Sequence, residues 1–482
     1  MNSTPDRKLT TDGFPRATAL MSHGREANRE KGHARLILDV SSAVRWIGPP
    51  VGIARVAQEL TRYVRAQRPD IILAFYDPPT GFHALRSQWV DILLDPRGTI
   101  DPVRLARRSP GQALRWWHAP RYPIMEALER CRLVTGSKLG AQIFAVLQSA
   151  LMLGHLRPPF VESSGHRVAV VHPNLALEDP PLALGPGDTL VCLDWWNKKI
   201  DEIEIQKRRL RVRCVALCYD LMPLLYPAFY SEEDVEHFRS YWNTMFALAD
   251  PVIVNSQRVR SDILQYCRVN AIPIRKIEVV PLGHDLRASA DNHRLPPGLE
   301  VGRFALVVAT IEPRKGHGML LQVWQRLLDE GVPQRHRFNL VFVGRPGWKV
   351  EELLRRIEEA SKPGGMLLHL QDLPDAELPG LYRGAAFCLL PSTSEGYGLP
   401  IIEAFSFGKA VLASSGGALP ELVGDLSPCL DPTDAEAWYL VLRRWIEDPG
   451  ARRAYEQRIR SSFSHPTWHE AAKTFLAVAA MK

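Results

Sequence analysis

Short apolar runs alternate with amphipathic helical segments along most of this chain, and this alternation constrains the fold more than any other feature. In the first half the runs include IILAFYD at 71–77 and VRCVALCYD at 212–220. In the second half they include FALVVAT at 304–310 and AAFCLLPS at 385–392. Strands that alternate with helices form parallel sheets covered by helices on both faces. The pattern therefore predicts an α/β protein.

A stretch rich in proline, glycine and charge at 281–303 interrupts the alternation and is typical of a linker. We therefore expect two Rossmann-like, doubly wound domains, at 34–285 and 286–465, that face a central cleft. The polar residues 1–33 are expected to form a flexible tail. Because ligands of open α/β sheets bind at the carboxyl ends of the strands, the cleft is the expected binding site.

Composition narrows the class of protein only modestly. Of the 482 residues, 46% are hydrophobic and 23% are charged, which is typical of a globular protein. The net charge of +7 suits ligands that carry phosphate, an anionic membrane surface or nucleic acid. The seven cysteines form no CxxC pair, and no apolar run reaches the roughly 20 residues of a membrane span. We expect a cytoplasmic protein, with contact to the inner face of the cytoplasmic membrane left open.

Two glutamates, Glu395 and Glu403, flank the segment GYGLPII near the end of a predicted strand. Residues 392–399 should form the loop at the carboxyl end of that strand. Pro400 suits the first turn of the following helix, and Glu403 should lie near that turn. The two glycines of the loop allow a ligand to approach the backbone closely, and a helix start favours an anion. Since carboxylates accept hydrogen bonds from sugar hydroxyls, the pattern indicates a nucleotide-sugar site. Alternatively, Glu403 complements the helix dipole and Glu395 is solvated.

Two cations, Arg314 and Lys315, follow the predicted strand 304–310 and should lie at the same sheet edge as Glu395. They could neutralise a diphosphate and stabilise it as a leaving group. The alternative is a pair of solvated surface charges. Gly344, in the loop of LVFVGRPGW, could line the pocket for the base or ribose.

The first half offers weaker candidates. Gly48 and Gly52 precede a predicted helix and could face a phosphate across the cleft, although such a turn is often only structural. Asp220 ends a strand and could accept the proton of an acceptor hydroxyl or simply cap its turn. Residues 104–121 carry five arginines, two tryptophans and no acid, which suits an anionic membrane, a nucleic-acid strand or an ordinary basic surface.

Together these motifs resemble the retaining glycosyltransferases of family 4, which have the GT-B fold. SEGYGLPIIEAFSFGKAVLASSGGALPELVGD resembles the acidic signature of that family, and ATIEPRKGH resembles its basic diphosphate-binding loop. VGIARVAQEL resembles the glycine loop and first long helix of bacterial members. The resemblance covers about 35–480 and is densest in 300–435. Many members carry a histidine where this chain has Asp220.

The resemblance implies roles for individual residues. Glu395 would contact the transferred sugar, Glu403 would hold the ribose hydroxyls, and Arg314 and Lys315 would bind the diphosphate. No metal or other cofactor would be required. The final helix, within 466–482, would pack back on the first domain. Gly48 and Gly52 of the first-domain loop would face the diphosphate of the donor. The backbone amides of the acidic loop would also contact the donor, at Gly396, Tyr397, Gly398 and Leu399.

The favoured function is transfer of a hexose, with mannose from GDP-mannose as the first choice. The acceptor would be a saccharide linked to a polyprenyl diphosphate, in synthesis of exopolysaccharide, capsule or lipopolysaccharide. A UDP-glucose or deoxyhexose donor stays open. Other readings are a nucleotide-sugar epimerase, a phosphorylase, for which no pyridoxal lysine context is found, and a basic protein without enzymatic activity that binds membranes or nucleic acid.

Overall fold

The computed structural model describes residues 34–45, 52–78, 80–86, 90, 103–105, 160–163, 166–171, 177–178, 180–285, 295–362, 365–371, 373 and 377–481. Three of the features singled out in the sequence lie outside these ranges wholly or mostly. They are the tail 1–33, Gly48, and the basic segment 104–121 beyond Leu105.

The first half builds a seven-stranded sheet with the order β10-β9-β8-β7-β1-β2-β3. All neighbours are parallel except β3, which runs antiparallel to β2 at the edge. The apolar runs form these strands because their side chains are buried on both faces. The strands are β1 (Leu36–Asp39), β2 (Ile72–Asp77), β3 (Gly81–Ala84), β7 (Thr189–Cys192), β8 (Arg213–Cys218), β9 (Val252–Val254) and β10 (Ile277–Val279).

The helices described in this half cover the two faces of that sheet. They are α1 (Ser41–Arg45), α2 (Gly52–Gln67), α3 (Ile200–Leu210), α4 (Met222–Leu225), α5 (Glu232–Leu248) and α6 (Gln257–Val269). Helix α6 begins where the side chain of Ser256 accepts a hydrogen bond from the amide of Val259. This N-cap satisfies one of the donors that a helix start leaves unpaired.

One strand of the first half does not join the parallel sheet as the alternation implies. The run HRVAVV forms β6 (His166–Val171) in a separate sheet of order β4-β6-β5, with β4 (Val103–Leu105) and β5 (Phe160–Ser163). Strands β5 and β6 pair antiparallel, because a connection of two residues closes a hairpin but is too short for a parallel crossover. The edge strand β3 was likewise not expected from the sequence.

The second half builds a six-stranded sheet, all parallel, with the order β13-β12-β11-β14-β15-β16. The strands are β11 (Phe304–Val308), β12 (Asn339–Val343), β13 (Leu367–Leu370), β14 (Phe387–Leu390), β15 (Val411–Ser414) and β16 (Cys429–Leu430). The helices are α7 (His317–Asp329), α8 (Val332–His336), α9 (Glu351–Ala360), α10 (Leu378–Gly384), α11 (Leu399–Ser406), α12 (Leu419–Val423), α13 (Ala435–Glu447) and α14 (Arg453–Ser462).

Each large sheet has one point where the strand order reverses. In the first sheet it lies between β1 and β7, and in the second it lies between β11 and β14. Connections leave such a switch point on opposite faces, so a crevice opens there at the carboxyl edge. The loops that follow β11 and β14 are those of Arg314 and Glu395, which places both at this crevice.

The last helix, α15 (Trp468–Ala480), packs against α2 of the first half. Its apolar residues belong to the same core as Val56 and Leu60. A Cβ on Gly283 would lie 2.3 Å from the Cα of Trp468, so only a glycine allows the two backbones to approach this closely. Within the described residues, no helix combines the length and the apolar character needed to cross a membrane.

Candidate active site

Glu395 lies at the centre of a compact charged cluster beside the switch point of the second sheet. Its Oε2 accepts a hydrogen bond from Arg314 Nη1 at 2.8 Å, and its Oε1 accepts one from Lys315 Nζ at 2.6 Å. Ser392 Oγ also donates to Oε1, at 2.6 Å. Arg314 Nη2 in turn donates to Glu312 Oε1 at 2.8 Å. The structure thus brings together the acid and both cations that the sequence singled out.

Backbone contacts hold the two loops of this cluster against each other. Residues Pro313–Lys315 form one turn of 3-10 helix, and the amide of Thr393 donates to the carbonyl of Arg314 at 2.8 Å. Gly316 follows with φ +75°, and a Cβ there would lie 2.2 Å from the carbonyl oxygen of Pro391. A glycine is required because this position has both a left-handed backbone and no room for a side chain.

Electrostatics keep the central carboxylate ionised. Burial alone would raise the pKa of Glu395, but the charges of Arg314 and Lys315, with hydrogen bonds from Lys315 and Ser392, hold it at about 2. Burial disfavours the charged form of Arg314, yet the surrounding carboxylates raise its pKa above the ordinary value. Arg314 and Glu395 are therefore both charged at neutral pH.

Asp220 reaches this cluster from the other sheet. It follows β8, and Arg314, Glu395 and Lys315 all act electrostatically on its carboxyl group. Burial raises the pKa of Asp220, and Arg314 opposes that shift. Its Oδ1 accepts a hydrogen bond from the amide of Met222 at 2.9 Å. Asp220 therefore caps its own turn and also faces the charged cluster, so the two roles weighed from the sequence are compatible.

The glycine loop between the two glutamates touches the first half directly. A Cβ on Gly396 would lie 2.4 Å from the carbonyl oxygen of Tyr219, and Ser256 Oγ donates to the carbonyl of Gly396 at 2.9 Å. Gly398, with φ +127°, immediately precedes α11, which begins at Leu399. The side chain of Tyr397 turns into the core, where its hydroxyl contacts His465 Nε2 at 3.0 Å.

Glu403 lies on the second turn of α11, just beyond the first turn near which the sequence had placed it, and it is buried. Its Oε2 accepts a hydrogen bond from the hydroxyl of Tyr382 at 2.6 Å, and its Oε1 accepts one from Arg55 Nη1 at 3.0 Å. Arg55 comes from α2 of the first half and was not singled out from the sequence. In the sequence Arg55 is one arginine within VGIARVAQEL, and no neighbouring residue distinguishes it from an ordinary surface arginine.

The remaining glycines have different surroundings. Gly52 begins α2 with φ +52°, and a Cβ there would meet no atom within 4 Å. Gly344 has φ +157°, and a Cβ there would lie 1.9 Å from the carbonyl oxygen of Ala309. It therefore packs its loop tightly against the end of β11.

Comparisons with known proteins agree with this architecture. Residues 294–462 match the family model described as glycosyl transferases group 1. O-antigen chain mannosyltransferase B of Escherichia coli is 38% identical over 149 residues, which are 31% of this chain and 38% of that protein. The serotype-specific mannosyltransferase WbdA of E. coli is 26% identical over 276 residues, 54% of this chain and 32% of that protein. The chain thus spans about a third of the length of these relatives.

Among solved structures, Anabaena Alr3699/HepE in complex with UDP superposes with a TM-score of 0.55 at 16% identity. The match covers 92% of this chain and 98% of that one. At this identity the likeness establishes the fold, and it extends over both sheets. The GT-B fold expected from the sequence is therefore confirmed, and residues 294–462 match the glycosyl transferases group 1 family.

Proposed function

We propose that this chain transfers a hexose from a nucleoside diphosphate sugar to a saccharide acceptor with retention of configuration. The observation that carries the proposal is the convergence of Arg314 and Lys315 on Glu395 beside the switch point of the second sheet, with Asp220 facing them from the first. Two cations next to the start of α11 suit a diphosphate.

In this reaction the donor diphosphate binds Arg314 and Lys315, the two cations that pair with Glu395 in the structure. As the bond between sugar and diphosphate breaks, negative charge grows on the leaving group, and Arg314 and Lys315 stabilise it more strongly than they stabilise the intact donor. Glu395 then lies near the transferred sugar. The acceptor oxygen bonds the anomeric carbon on the face that the diphosphate leaves, and Asp220 accepts the proton of that hydroxyl, a role that its raised pKa supports. Fixed cations also supply charge stabilisation without a metal ion, so we expect none to be required.

The donor is proposed to be GDP-mannose. Support comes from those relatives that are named as mannosyltransferases, including MMP alpha-(1->4)-mannosyltransferase of Mycolicibacterium hassiacum at 29% identity over 213 residues. The name of O-antigen chain mannosyltransferase B also favours an acceptor that is a growing O-antigen-type polysaccharide. A lipid carrier for that polysaccharide is part of the proposal. UDP-glucose and deoxyhexose donors are the competing choices.

The test is a thermal-shift screen with GDP, UDP and their sugars, followed by nuclear magnetic resonance of the product. A ligand that binds only the folded state raises the melting temperature. We expect GDP and GDP-mannose to raise it, EDTA to leave turnover unchanged, and the product to keep the α configuration of the donor. Stabilisation by UDP compounds alone would exclude the mannose donor, and no stabilisation by any nucleotide would overturn the proposal.

A further inference from the structure

The loop after β12, residues 344–349, crosses from the second sheet to the first half of the chain. The indole Nε1 of Trp348 donates to the carbonyl of Phe229 at 2.7 Å. Lys349 Nζ donates to the carbonyls of Tyr230 at 2.8 Å and of Ala228 at 3.2 Å. Three hydrogen bonds thus fix this loop against the segment that follows Asp220.

Trp348 remains exposed despite these contacts. Its relative exposure is 42%, which is high for the largest apolar side chain. Its ring lies 5.6 Å from the ring of Tyr230 at an angle of 35°. The next residue, Lys349, has φ +55°, a backbone region that residues other than glycine seldom adopt. The residue next to Trp348 is therefore held in an uncommon backbone conformation while the tryptophan stays partly exposed. Backbone strain of this kind often accompanies a binding role.

The aromatic pair adjoins the charged cluster on one side. Strands β12, β11 and β14 are neighbours in that order, so Trp348, Arg314 and Glu395 follow three adjacent strands at one sheet edge. Tyr230 lies between, since Arg314, Asp220 and Glu312 all act electrostatically on its phenol. Asp220 is the group assigned to the acceptor hydroxyl, and the chain leads from it directly into the aromatic segment YPAFY at 226–230.

We propose that Trp348 and Tyr230 form a subsite that binds a pyranose ring of the acceptor saccharide; this rests on the proposed function. Sugar rings have an apolar face of C–H groups that packs on aromatic rings, while their hydroxyls need polar partners nearby. Trp348 and Tyr230 supply the aromatic surface, and Asp220 lies beyond them for the reacting hydroxyl. The subsite spans both halves of the chain, so it is complete only when the cleft is closed as in this structure.

The test measures binding of α-mannotriose and methyl α-glucoside by saturation-transfer nuclear magnetic resonance in the full chain. Four proteins are compared: wild type, Trp348→Ala, Trp348→Phe and the control Leu440→Ala, which changes another exposed apolar side chain, 56% exposed on α13. We expect wild type and Leu440→Ala to bind mannotriose alike. Trp348→Ala should weaken binding roughly tenfold, as loss of an aromatic anchor usually does. Trp348→Phe keeps a ring but loses the bond to Phe229, and it should retain most of the affinity.

Three results would overturn the subsite: no saccharide binding by wild type, equal binding by wild type and Trp348→Ala, or a Phe variant as weak as the Ala variant. A Phe variant as weak as the Ala variant would mean that Trp348 only holds the loop in place through its hydrogen bond to Phe229. The shift in melting temperature caused by GDP is measured on the same proteins. A GDP shift that is lost in Trp348→Ala while mannotriose binding persists would assign Trp348 to the donor instead. If GDP does not change the melting temperature of wild type, the proposed function is contradicted. Saccharide binding tests the subsite independently of that result.

Discussion

At the scale of single residues, the candidate site is a set of buried charges that neutralise one another. Glu395 is paired with Arg314 and Lys315, and Glu403 is paired with Arg55. Removal of one partner from a buried ion pair leaves an uncompensated charge, which lowers the free energy of unfolding. A donor with anionic and hydroxyl groups can replace these internal partners, so each pair offers a direct test of the proposed site.

Glu395→Gln should lower the transfer rate roughly a hundred- to a thousandfold, because the cations lose the carboxylate that positions them. It should also change how stability depends on pH. The folded pKa of Glu395, about 2, is below its ordinary value of 4.5, so its ionisation stabilises the fold above that ordinary value. This contribution, about 3 kcal/mol, is lost as the pH falls from about 4.5 towards 2.

The measurement is the free energy of unfolding by urea at a series of pH values. The acid-dependent loss should be smaller in Glu395→Gln than in wild type. The matched control is Glu352→Gln, an exposed glutamate paired with Arg355, which should follow the wild-type curve. Parallel curves for wild type and Glu395→Gln would contradict the electrostatic account of this cluster.

Arg55→Ala should tighten the binding of GDP several-fold while it lowers the melting temperature of the unliganded protein. Arg55 occupies the Glu403 oxygen that the ribose hydroxyls are proposed to take, so its removal frees that oxygen and leaves a buried charge unpaired. Titration calorimetry measures the affinity. Arg62→Ala, which removes a surface arginine paired with Glu59 on the same helix, serves as control. Weaker GDP binding in Arg55→Ala would show that Arg55 instead contacts the donor.

At the scale of elements, the switch point of the first sheet is closed by a buried ion cluster. Lys199 is fully buried. Its Nζ donates to Oδ2 of Asp39, the last residue of β1, at 2.6 Å, and also to Asp194, which follows β7. Asp194 Oδ2 also accepts from the amide of Ser42, at the start of α1. Burial disfavours a charged lysine, but the two aspartates raise the pKa of Lys199 well above its ordinary value. The cluster therefore ties the carboxyl ends of two strands to the next helix.

Lys199→Met should destabilise the protein by about 3–5 kcal/mol, because it leaves two buried carboxylates without a cation. The free energy of unfolding in urea measures the loss. The matched control is the neighbouring Lys198→Met, whose side chain is exposed and should matter little. Equal stabilities of the two variants would mean that Lys199 is not needed to compensate the aspartates.

Elements around the candidate site could be predicted from the sequence, since the apolar runs at 304–310 and 385–392 form β11 and β14. The helix at α11 begins at Leu399 with Pro400 in its first turn, and Gly408, with φ +66°, follows its end, as the turn chemistry indicates. Strand β6 could not be assigned to its sheet in this way. Its apolar pattern is that of any buried strand, and its partner was decided by the two-residue connection to β5.

At the scale of the whole molecule, the two halves meet at the site itself. Glu421, at α12, accepts hydrogen bonds from the amides of Gln257 and Arg258, at the start of α6, at 2.8 and 3.1 Å. A carboxylate from one half thus caps a helix of the other. With the contacts of Gly396 and Trp348, this closes the cleft around the charged cluster. The relative position of the halves therefore determines whether Asp220 faces Glu395.

Gly396→Ala should prevent this closed arrangement while each sheet remains folded. The new Cβ would lie 2.4 Å from the carbonyl oxygen of Tyr219 and 2.7 Å from the Cβ of Asp220, closer than real Cβ atoms come. We expect a melting temperature near that of wild type, a larger radius of gyration in X-ray scattering, and kcat/KM lower by roughly a hundredfold. Gly318→Ala, which meets no atom within 4 Å, is the control. Wild-type activity in Gly396→Ala would show that closure is not required.

The sequence by itself determined the alternation of strands and helices, the loops that carry Arg314, Lys315 and Glu395, and the glycines that these loops require. These features depend on hydrophobic period and turn chemistry, which act over a few residues. Only the tertiary structure decided the strand orders that place two of these loops at one switch point. It alone paired Arg55 with Glu403 and set Trp348 beside Tyr230. Such partners lie more than a hundred residues apart, and no local pattern specifies which distant side chain will fill the space opposite.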